Sequence, residues 1–260
     1  MKIDQTRVLL VGASGGMGQA MASQLRALGA ELICVGRRWP QGMSADGVAA
    51  DITQAQDRQV LSALAKAHRT NVVVIASGVS SFGPSSTLSD DAVEALIQTN
   101  TIAPIQLALR LLPGLLEQER AQLVFVGSAL GRIGVPGFSA YGASKAAIHA
   151  FAEGLRRELL GSSVRVQVLA PRATHTPFNN EATQRFNAMT RTPCDSPEWV
   201  AQHLVALIES EAAERFIGYP EKLGVRINGV LGSHMDSSFA KHATALQSVF
   251  SNHAWEPSHD

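Results

Sequence analysis

The sequence predicts an α/β protein whose parallel β-sheet is doubly wound, with about seven strands and with helices on both faces. Three observations predict this class. Short β-branched runs alternate with longer segments whose apolar residues recur at helical spacing. One of these runs, residues 72–76, is apolar throughout, as expected for a strand that is buried on both faces. A glycine-rich turn at residues 12–18 directly follows the first run and leads into a helical pattern.

The predicted elements follow one another along the chain. Strands are expected at residues 7–11, 31–35, 47–50, 72–76, 122–127 and 164–170. Helices are expected at residues 17–28, 54–67, 88–117, 140–160, 221–231 and 237–250. The helix over residues 88–117 should bend near Asn100 and Pro104. A further helix begins at Ser196 and Pro197, because serine is a favoured N-cap and proline fits the first turn.

No repeat, low-complexity tract or linker interrupts the chain, so residues 1–260 are expected to form a single domain. Residues 172–195 lack a sustained periodicity, and a loop of this length is typically functional, which indicates a substrate loop. Residues 220–251 are expected to form a helical tail. Its apolar residues, such as Leu223 and Ile227, could pack on the core, cap a substrate crevice or contact a membrane surface. A cap over the crevice would imply an apolar substrate.

Composition argues against several functional classes. The 22 basic and 22 acidic residues give a net charge of +0, which argues against a nucleic-acid partner. Cys34 and Cys194 have neither metal nor disulfide spacing, which favours a reduced, cytoplasmic protein. The eight histidines show no paired metal spacing, and His149 simply falls inside the long helix, so no metal is expected. The longest uncharged stretch, residues 70–89, is too rich in serine and glycine for a membrane span.

The glycine-rich turn is a candidate phosphate-binding site. Glycine lets the backbone turn sharply and lets a phosphate approach, and the helix that follows offers free N–H groups. The candidate residues are Gly12, Ser14, Gly15, Gly16, Met17 and Gly18. An ordinary strand–turn–helix connection is the alternative. A strand before the turn, a helix after it and a second strand about 15 residues on favour a dinucleotide.

The second strand ends at Arg37 and Arg38, where the adenosine ribose of a dinucleotide is expected. Arg37 offers a cation and a planar fork, which suit a 2′-phosphate better than a free hydroxyl. No acidic residue competes for this position. The sequence therefore favours NADP(H) over NAD(H), unless both arginines are simply solvated loop charges.

A tyrosine, a lysine and a serine form a candidate acid–base site. Tyr141 and Lys145 are four residues apart in a predicted helix and so share one face. A nearby lysine cation favours the phenolate and lowers the pKa of a tyrosine toward the working range of a general acid or base. Ser128 follows a predicted strand, at the sheet edge where ligands bind, and its hydroxyl could bind a carbonyl oxygen.

Taken in order and spacing, these motifs resemble the short-chain dehydrogenase/reductase family in its single-domain form, over about residues 7–176. The motifs are Gly12-x3-Gly16-x-Gly18, Asn100, Ser128 and Tyr141-x3-Lys145. The resemblance implies a Rossmann-like dinucleotide-binding catalytic domain. It also implies an enzyme that transfers hydride between a nicotinamide and a carbonyl or secondary alcohol.

The resemblance implies a role for each catalytic position. Tyr141 would give a proton to the carbonyl oxygen or take one from an alcohol. Lys145 would hold the nicotinamide ribose hydroxyls and tune Tyr141, and Ser128 would position the oxygen. Asn100 would support a water that links Lys145 to solvent.

Further cofactor contacts follow from the same resemblance. They are Asp51 and Ile52 at the adenine edge, Ser77 and Gly78 after the fourth strand, and Pro171, Arg172, Thr174 and Thr176 around the nicotinamide carboxamide. The chain departs from the family at three places. Val11 replaces a usual threonine, Ile75-Ala76-Ser77-Gly78 replaces Asn-Asn-Ala-Gly, and Arg172 replaces a usual glycine. These departures lie near the cofactor, so we expect them to affect cofactor affinity rather than catalysis.

The sequence thus predicts an NADP(H)-dependent oxidoreductase for a small, apolar carbonyl or alcohol substrate, with reduction as the favoured direction. The resemblance also implies a homodimer or homotetramer. A nucleotide-binding protein that has lost catalysis is the alternative function on the same fold. A methyltransferase would explain neither the tyrosine–lysine pair nor Arg37.

Overall fold

The computed structural model describes residues 1–38, 47–219 and 221–251. The strands are β1 (Arg7–Val11), β2 (Glu31–Gly36), β3 (Gly47–Ala49), β4 (Val72–Ile75), β5 (Ala121–Val126), β6 (Val164–Ala170) and β7 (Glu214–Phe216). Within the described residues they form one seven-stranded sheet in the order β3-β2-β1-β4-β5-β6-β7. Every neighbouring pair is parallel. The expected α/β class and the doubly wound parallel sheet are confirmed.

The helices are α1 (Gly16–Ala27), α2 (Ala55–Ala67), α3 (Asp90–Ile97), α4 (Ala103–Leu116), α5 (Ser139–Glu158), α6 (Glu181–Thr190), α7 (Pro197–Ser210), α8 (Glu221–Leu231) and α9 (Ala240–Phe250). Helices α1 and α7 cover one face of the sheet, and α2, α4 and α5 cover the other. The Ser196 hydroxyl caps α7 by accepting a hydrogen bond from the Trp199 N–H at 3.1 Å, as the sequence predicts.

Alternating side chains of the strands build two separate cores. On β1, Leu9 and Val11 pack with the α2–α4–α5 layer, whereas Val8 and Leu10 pack with the α1–α7 layer. All four side chains are at most 1% exposed. A strand buried on both faces therefore reads as an unbroken apolar run, which is why this part of the sheet was visible in the sequence.

Two elements differ from the sequence expectation. Helix α6 lies inside residues 172–195, which were expected to form only a loop. Its buried positions are mostly polar, including Thr183, Asn187 and Thr190 beside Phe186, so it carries no apolar periodicity. Strand β7 had no assigned position, because its three half-buried residues lack the β-branched pattern of a strand.

The remaining segments agree more closely with the prediction. The bend expected near Asn100 is a π-helical turn, Gln98–Ile102, between α3 and α4. The expected helix at residues 237–250 begins later, because Gly232–Phe239 is a 3₁₀ helix and α9 starts at Ala240. Residue 220, the first of the expected tail, lies outside the described residues. Among the helices that the structure describes, none combines the length and the apolar character needed to cross a membrane.

Candidate active site

The glycine-rich turn joins β1 to α1 under tight steric limits. Gly12 has φ of +90°, and a Cβ there would lie 2.7 Å from the backbone nitrogen of Ser77. A Cβ at Gly18 would collide with the carbonyl oxygen of Gly12. Gly15 is the N-cap of α1 and has no side chain to cover the first N–H groups of the helix. The turn therefore presents free backbone donors at a positive helix end, which suits a phosphate.

The second half of the predicted dinucleotide site lies beside this turn. The N–H groups of Gly12 and Ala13 both donate to the carbonyl of Val35 on β2, at 2.8 and 2.9 Å. A Cβ at Gly36 would lie 2.8 Å from the Cβ of Ser14, so Ser14 packs directly on the end of β2. Arg37 and Arg38 follow at once, and both are exposed. The Ser14 hydroxyl and the start of the arginine pair therefore share one corner of the site.

Asp51 is held in a fixed orientation after β3. Its Oδ1 accepts hydrogen bonds from the Thr53 N–H and hydroxyl at 2.9 and 2.8 Å. Its own N–H donates to Asp57 Oδ2 at 2.7 Å. The side chain of Ile52 is buried in the core, so Ile52 can offer a ligand only its backbone.

The segment after β4 is fastened by Asn100. The Asn100 Oδ1 accepts from the Val79 N–H at 2.8 Å, and Nδ2 donates to the Val79 carbonyl at 2.9 Å and to Ser144 Oγ at 3.1 Å. A Cβ at Gly78 would lie 3.2 Å from Asn100 Oδ1 and 3.4 Å from Lys145 Nζ. Gly78, Asn100 and Lys145 are therefore adjacent. The Asn100 side chain thus holds the backbone after β4 in place through Val79. Its expected role in holding a water stays a prediction.

Ser77 supplies a test of whether a cofactor fits. Its Oγ is buried and has no hydrogen-bond partner among the described residues. A buried hydroxyl normally finds a partner, so an orphan at the end of β4, against Gly12, is suited to a bound group. Together with the close-packed glycines, this observation fits a dinucleotide at the carboxyl edge of the sheet.

Ser128, Tyr141 and Lys145 meet at this edge, and each is between 5% and 8% exposed. Ser128 follows β5 and caps a 3₁₀ turn, Ala129–Gly131, while the other two residues project from α5. The Ser128 Oγ accepts a hydrogen bond from the Leu130 N–H at 3.1 Å, and the Ser128 side chain lies close enough to Tyr141 to lower its pKa. The Lys145 Nζ donates to the Val126 carbonyl at 3.1 Å and lies 5.9 Å from the centre of the Tyr141 ring.

Burial is the main cause of the pKa shifts of Tyr141 and Lys145. It raises the pKa of Tyr141 to about 12, although the nearby Ser128 hydroxyl opposes the rise. Burial also lowers the pKa of Lys145 to about 8. The sequence led us to expect that Lys145 would lower the pKa of Tyr141. The structure differs because desolvation penalises the phenolate more than the interactions around it stabilise it.

The segment after β6 covers the glycine-rich turn. A Cβ at Gly16 would lie 2.9 Å from Thr176 Cγ2, and the Thr174 hydroxyl donates to the carbonyl of Arg172 at 3.2 Å. The Arg172 guanidinium instead points to Asp195, with Nε–Oδ2 and Nη2–Oδ1 distances of 3.0 and 2.8 Å. The backbone between Pro171 and Thr176 therefore remains the part of this segment that is suited to a nicotinamide carboxamide.

A cavity of about 480 Å³ opens beside these residues. Ser128, Tyr141 and Lys145 lie at its wall. The rest of the lining is largely apolar and includes Leu130, Ile133, Val135, Phe138, Phe178, Phe186, Leu223, Ile227, Met235 and Phe239. The cavity is therefore suited to a molecule with an apolar body and a reactive oxygen.

Sequence reasoning missed most of this wall. Phe138, Phe178 and Phe186 come from the approach to α5, the loop after β6 and α6, and they pack around Tyr141 together with α9. They lie far apart in the chain and form no motif. Two signals were available. The absence of periodicity in residues 172–195 predicted a substrate loop, which contains Phe178 and Phe186, and the apolar spacing of Leu223 and Ile227 in α8 suggested a cap over the crevice.

Part of this chain is similar in sequence to known proteins. A family model described as short chain dehydrogenase matches residues 6–187. An uncharacterized oxidoreductase of Myxococcus xanthus is 32% identical over 176 residues, which cover 63% of this chain and 70% of that protein. The uncharacterized oxidoreductase YbbO of Escherichia coli is 31% identical over 192 residues, which cover 70% of this chain and 71% of that protein.

Solved structures agree in fold. A short-chain dehydrogenase of Burkholderia cenocepacia, in complex with NADP, superposes with a TM-score of 0.81 at 20% identity and covers 92% of this chain and 99% of its own. A short-chain dehydrogenase of Streptomyces avermitilis has a TM-score of 0.74 at 25% identity, with coverage of 96% and 100%. Because the family model spans well over half of the chain, the protein belongs to the short-chain dehydrogenase/reductase family and is an oxidoreductase acting on CH–OH or C=O groups.

Proposed function

We propose that the protein is an NADP(H)-dependent reductase or dehydrogenase of small, apolar ketones, aldehydes or secondary alcohols. One observation carries the proposal. Ser128, Tyr141 and Lys145 are buried together where an apolar cavity meets the glycine-rich turn. A reacting oxygen in the cavity could contact the proton donor while the apolar remainder is shielded from water.

The residues present fit a phosphorylated dinucleotide. The turn at residues 12–18 would hold the pyrophosphate, Asp51 and the Ile52 backbone the adenine edge, and Ser77, Gly78 and the 171–176 backbone the nicotinamide half. Arg37, beside the Ser14 hydroxyl, favours NADP(H), and the NADP in the Burkholderia cenocepacia relative supports this choice for a protein of the same fold. When bound, the cofactor would supply or accept the hydride.

Tyr141 would transfer the proton, and Ser128 and Lys145 would assist it. A tyrosine with a pKa of about 12 is protonated at neutral pH, so Tyr141 would be the proton donor to a carbonyl oxygen in the direction of reduction. Ser128 would bind the same oxygen. After the transfer, the phenolate would be stabilised by the Ser128 hydroxyl and by the nearby Lys145 cation.

The proposal includes a single domain over residues 1–260, of which the substrate segment and the tail are parts. Residues 172–195 and the tail at 220–251 would shape the substrate site, because Phe178, Phe186, Leu223 and Ile227 all line the cavity. The homodimer or homotetramer expected from the family stays a prediction, which light scattering of the purified protein would test. The cytoplasmic location also stays a prediction.

The first experiment is a fluorescence titration of the purified protein with NADPH and with NADH. We expect tighter binding of NADPH, and an Arg37→Gln variant should lose about tenfold or more in NADPH affinity, since a charge-assisted contact contributes about 1.5–3 kcal/mol. NADH affinity should stay unchanged. Equal binding of both cofactors by the natural protein would contradict the NADP(H) assignment.

The second experiment screens medium-chain and aromatic ketones and aldehydes by NADPH oxidation. Turnover should favour apolar compounds, and Tyr141→Phe should abolish it while NADPH still binds. A Tyr141→Phe protein that retains turnover would overturn the mechanism. Tight NADPH binding without turnover of any compound in the panel would favour the alternative function, a nucleotide-binding protein without catalysis.

A further inference from the structure

A buried histidine stands directly behind Ser128. The ring of His149 is 0% exposed, and its Nε2 lies 3.0 Å from the carbonyl oxygen of Ser128. Tyr141, Lys145 and His149 follow one another at intervals of four residues along α5. They therefore form one stripe on the helix, and the stripe faces the turn that carries Ser128.

The turn has no room for side chains where it meets this ring. A Cβ at Gly127 would lie 2.7 Å from His149 Nε2, and a Cβ at Gly131 would lie 2.7 Å from His149 Cδ2. Phe216 of β7 stacks on the ring, with 5.7 Å between centroids and 11° between planes. The imidazole is thus held by the turn and by the sheet edge, and it cannot rotate away without moving them.

The hydrogen bond specifies that one particular ring nitrogen carries a hydrogen. A carbonyl oxygen can only accept, so the Nε2 of His149 must carry the hydrogen. The Nδ1 is buried and has no hydrogen-bond partner among the described residues, with Glu214 Oε1 4.0 Å away. Arg132, which follows the Ser128 turn, donates to Glu214 at 3.1 Å and to Glu153 of α5 at 3.3 Å. Ser128 and Arg132, at the two ends of the turn, therefore contact one group of neighbouring side chains, formed by His149, Glu153 and Glu214.

We propose that His149 is a positioning residue, which holds the backbone of Ser128 so that the Ser128 hydroxyl meets Tyr141. The role rests on the proposed function, because it acts through Ser128. Loss of the Nε2 donor would leave a buried carbonyl unsatisfied, and the turn would shift to recover a partner. A small shift of a group that binds the reacting oxygen has a large effect on rate.

The test uses the fact that the chain has two tyrosines, Tyr141 and the exposed Tyr219. In a Tyr219→Phe background, incorporated 3-fluorotyrosine labels Tyr141 alone, and ¹⁹F NMR then follows its ionisation without any substrate. Ser128→Ala is the benchmark, because it removes the hydroxyl that lowers the pKa of Tyr141. His149→Leu removes the donor, and His149→Gln keeps an N–H at the place of Nε2.

We expect His149→Leu to raise the Tyr141 titration midpoint to the Ser128→Ala value and to add nothing when the two changes are combined. His149→Gln should keep the midpoint of the unchanged background. With a substrate from the screen, His149→Leu should lower kcat about tenfold, the effect of about one hydrogen bond, while the Kd of NADPH stays within about twofold. Additive effects, or an unchanged midpoint in His149→Leu, would overturn the proposal.

Two controls keep the result interpretable. Thermal unfolding establishes that each variant is folded, and His149→Met replaces His149→Leu if the branched side chain does not fit. The unsubstituted protein gives an independent result, since ¹⁵N NMR of labelled histidine reports the tautomer. A His149 ring with a bare Nε2 would overturn the proposal without any variant. Because the titration needs no turnover, a failure of the positioning role is distinguishable from a failure of Tyr141 catalysis.

Discussion

At the scale of single residues, burial gives the two central side chains of the site opposite pKa shifts with one physical cause. It lowers the pKa of Lys145 to about 8 and raises that of Tyr141 to about 12, because a buried site disfavours the charged form of each. The spacing in the sequence predicted that the two side chains share a face. It carried no information on how deeply they are buried, so it predicted the wrong sign for Tyr141.

Replacement of Lys145 by methionine should therefore stabilise the protein without cofactor at about pH 7, by up to about 3 kcal/mol. The pKa of Lys145 is lower in the folded chain than its ordinary value of 10.5. Between about pH 8 and 10 the unfolded chain thus binds more protons, and the stability of the natural protein should rise with pH there. Urea unfolding of both proteins from about pH 7 to about pH 10 would measure both effects.

A matched control is Lys66→Met. Lys66 is largely exposed and pairs with Glu117 on the surface, so its replacement should change stability by less than about 1 kcal/mol. A Lys145→Met protein that is less stable than the natural one at about pH 7 would contradict the argument.

At the scale of elements, polar contacts join the two ends of the segment that contains α6, residues 172–195. Arg172 forms a bidentate ion pair with Asp195, which is 8% exposed. The backbone adds a parallel bridge, in which His175 N–H donates to the Asp195 carbonyl and Asp195 N–H donates to the Ala173 carbonyl, both at 2.9 Å. A segment without sequence periodicity is thus an ordered part of the cavity wall. These contacts join residues about twenty positions apart, so no local pattern could reveal them.

Arg172→Met should destabilise the protein by about 3 kcal/mol, because it leaves the buried Asp195 carboxylate without its guanidinium partner. The double variant Arg172→Met/Asp195→Asn should recover most of this loss. Urea unfolding of the two single variants and the double variant would give the coupling free energy. Simple addition of the two single effects would show that the pair is not coupled.

A side-chain hydrogen bond attaches helix α8 to the end of the turn that follows Ser128. The Asn228 Nδ2 donates to the carbonyl of Arg132 at 2.9 Å, while Leu223 and Ile227 line the cavity. Asn228→Ala should loosen this attachment and raise KM for apolar substrates about fivefold, since one hydrogen bond contributes about 1 kcal/mol. The Kd of NADPH should not change. Val230→Ser is the matched control, because Val230 is 84% exposed and should leave KM unchanged.

At the scale of the whole molecule, the strand order brings the site together. The sheet runs outward in two directions from β1 and β4, and the glycine-rich turn, Ser77, Ser128 and Pro171 follow the carboxyl ends of β1, β4, β5 and β6. A crevice at this switch point is the general ligand site of open parallel sheets. The order of elements along the sequence predicted that these residues lie at one edge of the sheet, and the structure places them there.

Cofactor binding should stabilise the whole domain, because the site is formed by strands from both halves of the sheet. NADPH at about 100 times its Kd should raise the free energy of unfolding by about 2.7 kcal/mol, and the same concentration of NADH should raise it less. Differential scanning fluorimetry with each cofactor would test this. An Arg37→Gln protein should lose the difference between the two cofactors, and persistence of the difference would place the discriminating contact elsewhere.

The sequence by itself determined the first six strands of the sheet, the glycine-rich turn, a bend near Asn100 and the common face of Tyr141 and Lys145, because each depends on local spacing or on a short motif. Tertiary structure alone decided helix α6, strand β7, the aromatic wall and the place of His149 behind Ser128. It also decided the direction in which the pKa values of Tyr141 and Lys145 are shifted. The physical reason is that these features depend on burial and on contacts between distant segments, and neither is encoded in the periodicity of the segment concerned.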